Sequence, residues 1–120
     1  FNNVGGFDTN IFLYYEETDL CMRLEKMGKS SYLIPTAKYV HYHGASTPQN
    51  IAIKAELKIS LLYVIRKHYG YLSFWFLLNY LRINYIFSTL FKPKYSYLLK
   101  VLLAGAPLSK SLKVIQKIRE

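Results

Sequence analysis

The sequence predicts an α/β fragment followed by amphipathic helices, and three observations carry that expectation. Residues 31–35 and 37–43 form two short runs of aromatic and β-branched side chains with the alternation of strands. A segment starting at Glu16, and nearly everything beyond residue 50, repeats apolar side chains at the three- and four-residue spacing of a helix. Ser46-Thr47-Pro48-Gln49-Asn50 is loop chemistry between the two regimes and divides the chain into 1–50 and 51–120.

The elements follow in order. Gly5-Gly6 calls for positive φ or close backbone approach, so a tight loop precedes the first helix. Ile11 to Tyr15 fits a buried strand or an extended lead-in. From Glu16, the residues Leu20, Cys21, Leu24 and Met27 share one face of a helix of about ten residues, which Thr18 or Asp19 caps and Gly28 stops. Ser31 to Pro35 reads as a strand closed by proline, and Ala37 to His43 as a second one, with His41 and His43 on the same face.

Ile51 to Tyr69 is a helix with Ala55, Ile59, Leu62, Ile65 and Tyr69 as its stripe and Gly70 as its end. Tyr71 to Phe91 is 21 residues with one formal charge, Arg82, and is long enough to span a bilayer once. Asn79, Arg82, Asn84, Ser88 and Thr89 favour instead a helix lying in the membrane plane or covered by protein. Lys92-Pro93-Lys94 breaks it, and Leu98 to Ile118 gives basic amphipathic turns interrupted at Gly105-Ala106-Pro107.

Composition narrows the function classes. A chain of 120 residues holds one small domain, and 52% hydrophobic content with 12 Tyr and 7 Phe excludes a disordered tail. Cys21 is alone, which excludes an internal disulfide and a cysteine-based zinc site. The first residue is Phe1, and no signal-peptide pattern follows it, so an excised fragment is expected. Residues 1–50 hold five acidic and four basic residues, whereas 51–120 hold two acidic and twelve basic ones. Basic charge interleaved with aromatic surface suits an anionic membrane face or a nucleic-acid groove.

Chemistry concentrates at the start of the first helix. Glu16, Glu17 and Asp19 sit where the helix dipole favours ionised carboxylates, by about 0.3–1 kcal/mol each. Such a cluster offers one carboxylate as a proton acceptor and others for holding polar groups or a cation. It is also the composition of an ordinary helix start, and a histidine in an aromatic strand, as in Val40-His41-Tyr42-His43-Gly44, is commonly a hydrogen-bonded core residue.

The ordered set Gly5-Gly6-Phe7-Asp8, then Phe12 through Leu24 with Glu16-Glu17-Thr18-Asp19, then Gly28, Pro35, Ala37 through His41 and Gly44, resembles family 2 glycosyltransferases of the rhamnosyltransferase and galactofuranosyltransferase type. The resemblance covers residues 1–70 and implies the acceptor-side portion of a GT-A fold, a nucleotide-binding α/β sandwich. It implies sugar transfer with inversion from a nucleotide diphosphate donor to a saccharide or lipid-linked saccharide acceptor, in cell-surface polysaccharide synthesis. By that likeness Glu17 is the catalytic base, with Glu where the family more often has Asp. Glu16, Asp19 and Arg23 are acceptor-site or supporting residues. His41, 24 residues after Glu17, meets a divalent metal, Mg²⁺ or Mn²⁺, that the missing amino-terminal half mainly binds. His43 is the alternative ligand. No Asp-x-Asp, βαβ unit or glycine-rich phosphate loop is present in these residues, so the fragment alone is expected to be inactive.

The basic half fits a peripheral membrane-associating region, since Trp75, Phe76, Tyr80 and Phe87 have bodies suited to the headgroup boundary. The expected location is the cytoplasmic face of the cell membrane. Two other readings stand beside the enzyme: a non-enzymatic basic module for membranes or nucleic acid, and a small protein spanning once through 71–91. No RNP, KH or helix-turn-helix pattern appears, so no nucleic-acid partner is expected.

Overall fold

The structure is a computed structural model that describes residues 1–32, 34–38, 40 and 50–115. Its elements are a 3-10 turn at Asn2–Val4, helix α1 at Glu16–Lys26, helix α2 at Ile51–Phe91, and a 3-10 turn at Pro93–Tyr95. Helix α3 at Ser96–Leu103, a 3-10 turn at Leu108–Lys110 and the short α4 at Leu112–Ile115 complete it.

Helix α2 begins where Asn50 turns its side chain back to accept the Ile53 backbone N–H at 3.0 Å. At Gly70 the helical path breaks, with φ 84° and ψ −178°, a combination essentially reserved for glycine. The two arms, 51–69 and 71–91, fold back on each other about that residue. Ala55, Ile59 and Leu62 of the first arm meet Leu78 and Leu81 of the second. Helix α3 completes the core with Leu98, Val101 and Leu102, and Leu62, Leu98 and Leu102 are fully buried. Arg82, the one formal charge of the second arm, donates to the Leu102 carbonyl at 3.0 Å and the Leu103 carbonyl at 3.1 Å. It thus satisfies the open carbonyl end of α3, where a cation also complements the dipole.

The opposite side of the first arm carries the amino-terminal segment. Ser60 Oγ donates to the Leu13 carbonyl at 2.8 Å, and Tyr63, Lys67 and His68 continue that face toward Gly70. Glu56, also buried, accepts from Ser111 Oγ and the Leu112 backbone N–H, both at 2.8 Å, and fastens α4 to the same arm. Both long faces of 51–69 are therefore occupied.

The α/β expectation is corrected by this architecture. Among the described residues there is no strand, so the acceptor-side portion of a GT-A fold is not seen here. Residues 31, 32, 34–38 and 40 are irregular chain with one turn, Ala37 N–H to Ile34 carbonyl, and Tyr32, Ile34 and Val40 lie exposed. A strand is made by its partner, and a short run with no strand among the described residues to pair against gains too little to become part of a sheet. Ile11 to Tyr15 likewise forms bends, not a strand. Among the described residues no helix is long and apolar enough to cross a membrane.

Candidate functional site

Helix α1 carries the predicted carboxylates, and its first turn is set by an uncommon backbone. Tyr14 and Tyr15 both have positive φ, 66° and 69°, which costs L-residues about 1–2 kcal/mol each. No side chain caps the helix: the cap position is Tyr15, not Thr18 or Asp19 as the sequence suggested. The far end closes as expected, with Gly28 at φ 68° and the Lys29 N–H reaching the Leu24 carbonyl.

Two residues of that first turn have opposite surroundings. Asp19 is completely buried and accepts from three side-chain groups. Arg23 Nε lies 2.8 Å from Oδ2, and Lys67 Nζ and His68 Nε2 lie 2.7 and 2.8 Å from Oδ1. Lys67 also reaches Asp8 at 2.6 Å, and Asp8 accepts from the Tyr63 hydroxyl and the Asn10 N–H at 2.9 Å. Arg23 extends further, to the carbonyls of Val4 and Gly6. Two carboxylates and two cations are thus locked together, joining the Gly5-Gly6-Phe7-Asp8 loop, α1 and the first arm of α2.

The tautomer of His68 follows from its neighbours. Lys26 Nζ approaches Nδ1 at 3.2 Å, and an ammonium only donates, so Nδ1 accepts and Nε2 carries the hydrogen given to Asp19. Burial raises the Asp19 carboxyl, but hydrogen bonds from Lys67, His68 and Arg23 outweigh it and hold the pKa below the usual range. At Asp8 the same contest, with burial opposed by Lys67, Asn10 and Tyr63, leaves a pKa of about 2. Lys67 is pushed the other way: burial lowers it, and the bonds to Asp19 and Asp8 raise it above its ordinary value.

Glu17 faces outward. It is exposed and lines an open cleft of about 540 Å³ with Thr18, Cys21, Met22, Glu25 and Lys29. Glu16, partly buried between these extremes, has a carboxylate oxygen, Oε2, with no hydrogen-bond partner among the described residues. The structure therefore brings Asp19 and Arg23 together and turns Glu17 away from both. His41 and His43 lie outside the described residues. A metal was expected chiefly from residues not in this chain, and the described ones do not form a site for it: no group of three or more ligating side chains occurs among them. Asp8 and Asp19 already hold Lys67, Arg23 and His68.

Asp8, Tyr63, Lys67 and His68 were not singled out by sequence as site residues. Lys67 falls in the basic half that the sequence assigns to a membrane-associating face, outside the apolar stripe of its helix. The available signal was position: Lys67 falls four residues after Tyr63 and His68 eight after Ser60, on one face of the helix beside a glycine that ends the arm.

No protein-family model matches the chain, and no solved structure matches it. Over 73 residues it is 36% identical to the N-acetylglucosaminyl-diphospho-decaprenol L-rhamnosyltransferase of Mycobacterium tuberculosis, in strains CDC 1551 and H37Rv. That match takes in 59% of this chain and 24% of the relative. Over 69 residues it is 35% identical to Rhamnosyltransferase WbbL of Escherichia coli strain K12, covering 56% of this chain and 26% of that protein. The matched segments span about a quarter of the length of these relatives. Across that segment the chain is related to proteins named as rhamnosyltransferases, and its likeness is to glycosyltransferases.

Proposed function

We infer that these residues belong to an inverting glycosyltransferase in which Glu17 is the base, acting on a saccharide or lipid-linked saccharide acceptor and a nucleotide-diphosphate sugar donor. One observation supports this most: in a single helical turn Asp19 is sealed into an ion cluster while Glu17 is left open to a cleft. A carboxylate with no cation partner among the described residues, held on a helix clamped by the Gly5-Gly6 loop and the first arm of α2, is suited to accept a proton. Likeness to relatives named as rhamnosyltransferases supports the reaction class, and a rhamnosyl donor is the specific form of the proposal.

The step balances simply. The acceptor hydroxyl oxygen bonds to the anomeric carbon as its proton passes to the Glu17 carboxylate. The bond from that carbon to the diphosphate oxygen breaks on the opposite face, and the nucleoside diphosphate leaves. Attack opposite the leaving group inverts the anomeric centre. Positioning contributes as much as basicity, because a sugar hydroxyl is a poor nucleophile unless held in line. Asp19 and Arg23 act by holding the helix that presents Glu17, and Glu16 shares its turn.

In the full-length protein, Glu17→Gln is expected to lower sugar transfer by at least about a hundredfold with donor binding intact. Turnover close to the unmodified rate would remove Glu17 as the base.

A further inference from the structure

The second arm of α2 is apolar on the side facing away from the core as well. Leu72, Trp75, Phe76, Ile83, Phe87 and Leu90 recur at helical spacing along one face, and their exposures run from 47% at Trp75 to 73% at Leu72. From Leu72 to Leu90 that stripe is about 27 Å long. Soluble proteins rarely expose a continuous apolar patch of this size.

Beside the stripe runs a groove of about 580 Å³ between the arms, lined by Lys54, Lys58 and Lys92 with the polar ends of Asn84, Ser88 and Tyr95. Tyr80 and Phe91 line the groove and are themselves 63% and 83% exposed. Among the described residues none of the three lysines forms an ion pair. Burial holds the Lys58 ammonium below its usual pKa, so a negative group beside it would relieve a standing electrostatic cost. Lys54 lies 5.5 Å from the centre of the Tyr95 ring, which fixes it at the groove wall.

The geometry points to an anionic bilayer as the occupant of this surface, with the stripe lying in the interface and a lipid phosphate in the groove between Lys54, Lys58 and Lys92. Charge and shape agree on it. The half of the chain that carries the stripe has twelve basic residues against two acidic ones, and a headgroup phosphate with its chains offers both complements at adjacent positions. This inference stands apart from sugar transfer, and its test reads no transfer.

Trp75 is the one tryptophan of the 120 residues and sits on the stripe, so it reports directly. With full-length protein and vesicles of phosphatidylcholine containing phosphatidylglycerol, tryptophan emission should shift to the blue and be quenched by brominated lipid. Trp75→Phe should abolish that component. Pure phosphatidylcholine vesicles should give little of either. Lys58→Ala/Lys92→Ala should weaken partitioning about thirtyfold, roughly fivefold per lysine, while Lys29→Ala/Lys38→Ala, equal in charge, should leave it nearly unchanged. Equal losses in the two double variants would overturn the groove. Release by inorganic phosphate at the same phosphate concentration would assign it to a free anion, and release by a single-stranded oligonucleotide to nucleic acid; either overturns the proposal. So would a blue shift that grows with protein concentration when no vesicles are present, because a second copy would then cover the stripe.

Discussion

Asp19 and Glu17 are two positions apart in one helical turn, yet chemistry treats them oppositely. The buried carboxylate has lost its water and recovers the cost only through Arg23, Lys67 and His68. Asp19→Asn removes the charge and leaves Arg23 and Lys67 under-compensated, so the variant should lose about 3 kcal/mol of stability, measured by chemical denaturation. Asp8 makes a separate, pH-dependent contribution. Its folded pKa of about 2 lies below the ordinary 3.8, so its stabilisation is fully present above pH 3.8 and is lost as pH falls through about 2. The difference corresponds to about 2 kcal/mol for this largely buried side chain. Denaturation at pH 5 and near pH 2 should show that loss, and Asp8→Asn should be less stable at pH 5 and show less of the acid-induced drop.

At the scale of elements, Gly70 decides the path of the chain. Gly70→Ala places a side chain at φ 84° and ψ −178°, where the surrounding space is open but the backbone is strained. A loss of about 1–3 kcal/mol is expected in a denaturation midpoint. This break was legible beforehand, because Gly70 interrupts two apolar repeats, and the ends at Gly28 and Lys92-Pro93 were equally visible. Helical period is written locally, and local signals survive without their neighbours. Among the described residues of 31–35 and 37–40 no strand forms, for the converse reason: alternation shows only that a segment could pair, and pairing depends on residues elsewhere. Arg82 shows a third case. Its cost inside an apolar arm was plain, but its partners, the last carbonyls of α3, are about twenty residues away and no periodicity points to them.

At the scale of the molecule, the first arm of α2 is the member against which everything else is placed. One of its faces builds the core with the second arm and α3, and the other holds the Gly5-Gly6 loop, α1 and α4. The candidate base sits on the outermost of these pieces, and its orientation depends on the Asp8, Asp19, Arg23 and Lys67 cluster beneath. Of that site, the sequence disclosed the carboxylates and the helix that carries them. It did not disclose which one would be sealed, since Asp19 is buried by residues 48 and 49 positions away. The central claim is that the exposed carboxylate does the proton transfer and the sealed one only supports it. The most direct test is the transfer rate of full-length Glu17→Gln, read together with its denaturation midpoint. The account expects a rate at least about a hundredfold lower at an unchanged midpoint; a near-normal rate, or a rate that falls only as the protein unfolds, would contradict it.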